Sequence, residues 1–267
     1  MVKKNGIVVE EYQYDGNGNR TYAKTLQGEF YGSYDNQDRL LSYGNNSYTY
    51  TANGELLSKA TPEGTTYYNY DELGNLLSVI LPDGKTIEYI VDGLGRRIGK
   101  KVNGQIVQKF IYEGQLTPVA ELDGNNQIKA IYIYATKINV PDYVIKGGEK
   151  YKFLTDHLGS VRYVVRTSDS PVVEQIGYDS FGNVLDDLNP AFVPFGFAGG
   201  LYDSDTKLIR FGARDYDPEI GRWTSKDPIL FDSGDSNVFI YVKNDPINWI
   251  DFLGLEVYVC NRKTSWN

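Results

Sequence analysis

The chain contains 267 residues and carries a formal net charge of -8 at neutral pH. An acid excess of this size argues against a nucleic-acid partner, because phosphate backbones bind to basic protein surfaces. Apolar residues make up 41% and charged residues 23% of the sequence, which excludes a wholly disordered chain and indicates a folded protein with a sizeable core.

Cysteine and histidine each occur once, as Cys260 and His157. These counts exclude an intramolecular disulfide framework and a zinc site built on several cysteines or histidines, so we expect no metal and no cofactor. We expect His157 to be a hydrogen-bonded structural group. No run of about 18 apolar residues is present, so no membrane span is predicted. The basic opening residues lack the apolar run of a signal peptide.

Tyrosine and glycine are unusually frequent, with 23 and 28 copies, which favours β-structure with many chain reversals. Part of this excess forms a repeat in which a tyrosine is followed by aspartate or threonine, and a glycine usually lies three residues further on. A leucine or arginine then opens the next segment. Four copies and a fifth that lacks the tyrosine start 16 to 21 residues apart, at Tyr14, Tyr34, Tyr50, Tyr70 and Val91.

The chemistry of one repeat unit predicts its local structure. The tyrosine should end a strand with its ring packed and its hydroxyl directed to water or to a neighbouring strand. The aspartate can close a turn on backbone amides, and the glycine supplies a positive φ. A single hairpin of this kind cannot bury its own face, so neighbouring units must stack.

These units resemble the YD repeats of the Rhs family, which includes the teneurins and the C subunits of insecticidal toxin complexes. The segment YKFLTDHLGSVR at residues 151–162 resembles the signature of the Rhs-associated core, and a further repeat starts at Tyr178. Residues 195–255 are similar to the rest of that core. The resemblance spans residues 12–255.

The resemblance implies a mainly β fold, in which YD-repeat hairpins form a solenoid or spiral sheet. This sheet would be part of a cocoon-like shell, capped by the core with short helical turns. We predict four regions: YD repeats at 1–100, further hairpins at 101–194, the core at 195–255 and a short tail at 256–267. Within them we expect strands at Gln105–Tyr112 and Ile128–Tyr134, a tight turn at 217–221 and one or two helical turns within 244–250.

Self-cleaving members of this family cut the chain after the leucine of a DPxGL-type motif. The corresponding residues here are 251–255, DFLGL, which places the scissile bond between Leu255 and Glu256. The resemblance further assigns catalytic roles to Asp251 and Asp227 and to the adjacent pair Arg214 and Asp215. Phe252 and Leu230 stand where the family has proline and glycine.

Paired aspartates suit hydrolysis of a peptide bond. Two carboxylates about 4 Å apart repel by roughly 4 kcal/mol at an effective dielectric near 20, so one can stay protonated while the other activates water. Arg214 could fix a carboxylate or stabilise the oxyanion. An acyl shift would need Ser, Thr or Cys after the bond, where this chain has Glu256. The competing interpretation is that each Asp beside Pro or Gly only forms a turn.

The resemblance also implies partners and a location. Toxin members enclose a C-terminal toxin, whereas only 12 residues follow Leu255 here, so we expect a terminal piece or a remnant of a larger shell. The implied partners are a C-terminal toxin segment and a secretion apparatus or another toxin-complex subunit, and the implied location is secreted or cell-surface. The alternative function is a non-catalytic YD-repeat module that binds glycans, through its tyrosines, or partner proteins.

Overall fold

A computed structural model describes residues 1–259. Nineteen strands form one antiparallel meander in which each strand pairs with the next along the chain. These strands are β1 (Val2–Lys4), β2 (Ile7–Tyr14), β3 (Arg20–Thr25), β4 (Gly28–Tyr34), β5 (Leu40–Tyr43), β6 (Asn46–Tyr50), β7 (Leu56–Thr61), β8 (Gly64–Tyr70), β9 (Leu76–Ile80), β10 (Thr86–Val91), β11 (Arg97–Val102), β12 (Gln105–Tyr112), β13 (Pro118–Leu122), β14 (Ile128–Ile133), β15 (Tyr143–Lys146), β16 (Glu149–Thr155), β17 (Val161–Arg166), β18 (Val172–Tyr178) and β19 (Val184–Asp187).

The C-terminal segment adds short elements outside this sheet. Four strands form a second sheet: β20 (Leu201–Tyr202), β21 (Ile209–Phe211), β22 (Arg214–Asp217) and β23 (Arg222–Trp223). Strands β24 (Trp249–Ile250) and β25 (Tyr258–Val259) pair with each other. Three short 3₁₀ turns lie at Phe197–Gly199, Leu230–Ser233 and Val242–Asn244. The prediction of a mainly β, YD-repeat sheet capped by a core with short helical turns is confirmed.

All turns that follow the YD tyrosines lie along one edge of the large sheet, because the meander reverses direction at every strand. We call this the YD edge; its repeat turns are residues 15–19, 35–39, 51–55, 71–75, 92–96, 156–160 and 179–183. The opposite edge carries shorter hairpins such as residues 26–27, 44–45 and 62–63. The repeat therefore presents the same turn, at the same edge, once per pair of strands.

The structure confirms the predicted chemistry of the repeat turn. Tyr14, Tyr34, Tyr50 and Tyr70 are the last residues of their strands. The Tyr34 hydroxyl donates to the backbone oxygen of Arg20 at 2.9 Å, at the start of the preceding strand. The glycine position of the repeat has a positive φ, and where the second copy lacks glycine, Asp38 adopts the same left-handed conformation with φ 60°.

The inner face of the sheet is apolar and packs against the C-terminal segment. Fully buried side chains from the repeats include Leu40, Leu76 and Ile87. Leu208 and Ile220 of the C-terminal segment belong to the same cluster. Residues 195–259 therefore cover the apolar inner face of the large sheet. Because hydrophobic burial is the main stabilising contribution to folding, this packing stabilises the sheet.

The large sheet curls so that β2 and the turn after β18 come into contact through their side chains. Ser180, in the turn after β18, donates its hydroxyl to the Glu10 carboxylate of β2. The rings of Tyr12 and Phe181 pack edge to face with centroids 4.9 Å apart. Backbone pairing does not close the sheet into a barrel within residues 1–259. We call this contact between β2 and the 179–183 turn the seam.

One local prediction is met only in part and two are confirmed. Over 244–250 no helix forms, but one hydrogen-bonded turn does, in which the amides of Asn248 and Trp249 donate to the Asp245 oxygen at 3.3 and 3.1 Å. A 3₁₀ turn lies earlier, at Val242–Asn244, and Trp249–Ile250 is a strand because its backbone pairs with Tyr258–Val259. The predicted strand Gln105–Tyr112 is present with those bounds, and the tight turn at 217–221 is followed by a strand at Arg222–Trp223.

Removing the carboxylate of a repeat turn should destabilise the fold. Asp71 Oδ1 accepts hydrogen bonds from the amides of Leu73 and Asn75 at 2.9 and 2.8 Å, and Oδ2 accepts from the Asn75 side chain at 2.9 Å. We expect Asp71→Ala to lower the free energy of unfolding by about 1–3 kcal/mol, measured by urea denaturation. The exposed neighbour Glu72 provides the control: Glu72→Ala should change stability by less than about 0.5 kcal/mol. Equal effects would refute the assigned role of Asp71.

Candidate functional site

The predicted scissile bond lies in a loop, residues 251–257, that joins β24 to β25. This loop packs tightly on the turn between β21 and β22. The amide of Ala213 donates to the oxygen of Leu253 at 2.9 Å. Gly254 has φ +67°, and a Cβ there would lie 2.4 Å from the oxygen of Phe211. Glycine is required at 254 both for its conformation and for this close approach.

Arg214 connects the loop to both candidate aspartates. Its Nη2 lies 2.8 Å from Asp227 Oδ2 and 3.3 Å from Asp251 Oδ2. Its Nε donates to the Gly254 oxygen at 2.6 Å, and the guanidinium stacks on the Trp223 ring at 4.1 Å. All three charged side chains are buried. One guanidinium nitrogen therefore holds two carboxylates next to the predicted cleavage loop.

The second oxygen of Asp251 contacts the bond itself. Asp251 Oδ1 accepts a hydrogen bond from the amide of Leu255 at 3.0 Å and another from the amide of Glu256 at 3.3 Å. The Glu256 nitrogen is the atom that would leave if the Leu255–Glu256 bond were hydrolysed. Asp227 Oδ1 accepts from the amide of Ile229 at 3.0 Å, which fixes the orientation of that carboxylate.

Burial shifts the protonation equilibria of this cluster. Desolvation raises the pKa of Asp251 to about 6, although Arg214 and the loop amides favour its charged form; the nearby Asp227 charge adds to the increase. Desolvation also raises the pKa of Asp227, against the opposing effect of Arg214. Burial lowers the pKa of Arg214 despite its two carboxylate partners. Near neutral pH, Asp251 can therefore exist in both protonation states.

Asp215, also predicted as a site residue, lies in a different cluster. Its carboxylate accepts from Arg97 Nη2 at 2.7 Å and from Arg210 Nη1 at 2.9 Å. Arg214 and Asp215 are successive residues of β22, and successive side chains of a strand point to opposite faces. Arg214 thus faces the loop, whereas Asp215 faces the sheet and joins β22 to β11 of the repeats.

Several residues with defined roles were not predicted from the sequence. Trp223 supplies the ring under Arg214, and Arg97 and Arg210 neutralise Asp215. Leu230 stands where the family has glycine and adopts a left-handed φ of 51°, so the turn after Asp227 keeps a glycine-like conformation. The replacement of the family's glycine by Leu230 was the one sequence signal that this position has an unfavourable left-handed backbone.

His157 lies outside the cluster of Arg214, Asp227 and Asp251. His157 Nε2 lies 2.7 Å from the oxygen of Ile247, so it contacts the core as a structural group would. Cys260 lies outside the described residues. Within residues 1–259, no group of three or more His, Cys, Asp or Glu side chains is arranged to bind a metal ion. In the same range, no helix has the length and apolarity needed to cross a membrane.

Comparison with known proteins identifies the family. A profile of the Teneurin YD-shell family matches residues 1–247. The chain belongs to the YD-shell family. Teneurin-3 of Mus musculus is 31% identical over 259 residues, covering 92% of this chain and 9% of its own length. The tRNA3(Ser)-specific nuclease WapA of Bacillus spizizenii is 29% identical over 260 residues, covering 93% of this chain and 11% of its own.

Solved structures of low sequence identity share the YD-shell fold. The crystal structure of TcdB2-TccC3 matches with a TM-score of 0.57 and 18% identity, over 92% of this chain and 17% of that one. The YD-shell chain thus spans about a tenth of the length of the curated relatives that it matches. The family profile ends at residue 247, so Asp251 and the Leu255–Glu256 bond follow the matched region directly.

The raised pKa of Asp251 predicts a specific dependence of stability on pH. An acid whose pKa is about 6 in the folded protein and near 3.8 in the unfolded chain binds its proton more tightly when folded. Its contribution to stability is therefore present at low pH and is lost as pH rises from about 4 to 6. The loss amounts to about 3 kcal/mol, taken as an upper value. Asp251→Asn, which cannot ionise, should remove this dependence.

The measurement is urea unfolding of wild type and Asp251→Asn at pH 4.5 and pH 7.5, on samples of intact mass. We expect the variant to gain stability relative to wild type on going to pH 7.5. Asp232→Asn, which alters an exposed aspartate close to Asp227 in sequence, should show no such gain. A difference between Asp251→Asn and wild type that is the same at both pH values would contradict the assigned pKa.

Proposed function

We propose that this chain is the closing part of a YD shell and that its core hydrolyses the bond after Leu255. The observation that carries this proposal is the position of Asp251. One of its carboxylate oxygens lies 3.3 Å from the Glu256 nitrogen, while the other shares an Arg214 nitrogen with Asp227. Two buried carboxylates that share one guanidinium, with one of them at the peptide bond, suit acid–base hydrolysis.

We propose different tasks for the two aspartates. A water molecule attacks the carbonyl carbon of Leu255, and the ionised carboxylate of Asp227 accepts one of its protons. The protonated carboxyl of Asp251 donates its proton to the Glu256 nitrogen as the carbon–nitrogen bond breaks. The products are a carboxylic acid at Leu255 and a free amine at Glu256. We assign the donor role to Asp251 because its Oδ1 lies 3.3 Å from the leaving nitrogen. That oxygen accepts a hydrogen bond from the amide before attack. It donates its proton once the nitrogen becomes pyramidal in the tetrahedral intermediate and presents a lone pair.

Arg214 is the positioning residue in this mechanism. It binds both carboxylates and the oxygen of Gly254, one residue before the bond. Removing it would leave two buried carboxylates repelling each other and would free the loop. Asp215 acts through structure, since its ion pairs with Arg97 and Arg210 hold β22, and hence Arg214, against the sheet.

We further propose that the shell encloses or presents a segment of the chain that follows residue 255, as part of a longer secreted or cell-surface protein. The support is the similarity to WapA, named as a nuclease, and the fold shared with the crystal structure of TcdB2-TccC3. A partner subunit that contacts the shell is expected on the same grounds. Cleavage after Leu255 would separate the enclosed segment from the wall that surrounds it.

A non-catalytic binding module is the second candidate, and exposed aromatic side chains favour it. Tyr31 is 65% and Tyr67 53% exposed. Flat rings with a polar rim suit stacking on sugars or on a partner protein, although cross-strand packing also employs them: the rings of Tyr22 and Tyr31 lie 5.3 Å apart. In this alternative the aspartate cluster holds the loop together without cutting it.

Denaturing mass spectrometry of purified protein tests the cleavage proposal. Wild type should lose its C-terminal 12 residues and give a main fragment ending at Leu255. Asp227→Asn and Asp251→Asn should stay whole, because the amide keeps the shape of the side chain and removes its titrating group. Arg214→Ala should cut more slowly at the same bond. The control Asp232→Asn should cut like wild type. An intact wild-type mass after prolonged incubation would refute cleavage and leave the binding module.

The rate of cleavage should depend on pH in the direction set by Asp251. The step needs Asp251 protonated, and its pKa is about 6. Above that value the protonated fraction falls roughly tenfold per pH unit. Following the intact mass with time between pH 5.5 and pH 8 should show faster cutting on the acid side. A rate that increases steadily up to pH 8 would contradict the donor role of Asp251.

A further inference from the structure

The residues just beyond the bond are held by the core as a strand. Strand β25 pairs antiparallel with β24, with Trp249 opposite Val259 and Ile250 opposite Tyr258. The seven-residue loop between the strands contains the Leu255–Glu256 bond, so the chain is fixed on both sides of that bond. Val257 and Tyr258 also pack against the hydrophobic cluster formed by the C-terminal segment.

An aromatic pair spans the bond. Phe252 is the fourth residue before the bond and Tyr258 is the third residue after it. Their rings stack with centroids 4.6 Å apart and an angle of 22° between the planes. Phe252 replaces the proline of the family motif, so the ring that distinguishes this chain makes a contact to the downstream segment. The strand pairing and the stack act on the same residue, Tyr258, through its backbone and its ring.

We propose that β24 and Phe252 form a binding subsite for the chain downstream of the bond. Its ligand class is an extended peptide segment with an aromatic residue at the third position after the cut. Backbone pairing to β24 gives this segment its direction, as in other cases where a peptide adds a strand to a sheet edge. The stack on Phe252 selects an aromatic side chain and sets the register of the Glu256 nitrogen over Asp251.

The subsite has two consequences. Both concern cleavage after Leu255 and therefore rest on the proposed function. First, Tyr258 and Phe252 are positioning residues, because they fix the loop without touching the reacting atoms. Second, the segment after the bond remains paired with β24 when the bond is broken, since none of these contacts depends on the covalent link. Breaking the bond and releasing the downstream segment are then separate events.

The first measurement does not depend on cleavage. Hydrogen exchange is followed by mass spectrometry in full-length Asp227→Asn protein, and the peptides of interest cover residues 249–259. Tyr258→Ala and Phe252→Ala should each accelerate exchange there by roughly 3- to 10-fold. Tyr258→Phe keeps the ring and loses only an exposed 3.4 Å hydrogen bond to the Glu256 carboxylate, so it should exchange close to the parent rate. Tyr163→Ala, which alters an exposed tyrosine of β17, is the control for loss of any tyrosine.

The second measurement is the rate of cleavage in the same single variants on the wild-type background. We expect Tyr258→Ala and Phe252→Ala to slow it by roughly 3- to 10-fold, and Tyr258→Phe to leave it unchanged. Faster exchange in the alanine variants, together with wild-type protein that stays intact, would support the subsite and refute the cleavage proposal. Unchanged exchange in both alanine variants would overturn the subsite. Faster exchange with an unchanged cleavage rate would overturn the positioning role.

Discussion

The structure depends on a sheet that cannot bury its own inner face. An antiparallel meander of short hairpins gains stability only when something covers its apolar side, and here the C-terminal segment does so. The repeat turns also leave polar groups at the YD edge, and arginines of the core bind them. Arg222 donates to the Asn19 side chain at 2.8 Å, and Arg210 to the Asn75 side chain at 3.0 Å and to the oxygen of Gly95 at 2.9 Å. The same C-terminal segment thus buries the apolar face and binds the polar turns, through different side chains.

Strand β22 links this packing to the candidate chemistry. Its alternating side chains place Asp215 against Arg97 of the sheet and Arg214 against the two aspartates at the loop. A buried ion pair that loses one partner is strongly destabilising, so β22 keeps its position only while the repeats are folded around it. The arrangement of Asp227, Asp251 and Arg214 in the candidate site therefore depends on the folded repeats. Strand β22 contributes both to the candidate site and to the packing of the core on the sheet.

The sequence predicted the regular part of the molecule well. The repeat spacing and the turn chemistry of Tyr, Asp and Gly are local properties, so the strand ends at Tyr14 and Tyr34 and the positive φ values followed directly. The proximity of Asp227 and Asp251 came from family resemblance, because no local pattern brings residues 24 positions apart together. The direction of the Asp215 side chain could not be predicted, since it required knowing that residue 214 begins a strand.

Tertiary contacts decide two features that local sequence does not. The polar cap and proline near residue 245 favoured a helix, but pairing with the chain at 258–259 gave the backbone of Trp249 and Ile250 a different partner. Tertiary context outweighed the local preference there. Phe252, which stands where the family has proline, stacks on Tyr258, a residue six positions further along the chain. Leu230, which stands where the family has glycine, has a left-handed φ of 51°.

At the seam the large sheet meets itself without closing into a barrel. Strand β2 meets the turn after β18 through Glu10, Tyr12, Ser180 and Phe181, with no ladder hydrogen bond in that contact. A barrel fixes its strand number when its ladder closes, because diameter, tilt and stagger are tied together. A sheet that meets itself only through side chains has no such closure condition. The number of hairpins between β2 and β19 is therefore not fixed by ladder geometry, so a hairpin could be inserted without breaking a backbone hydrogen bond at the seam.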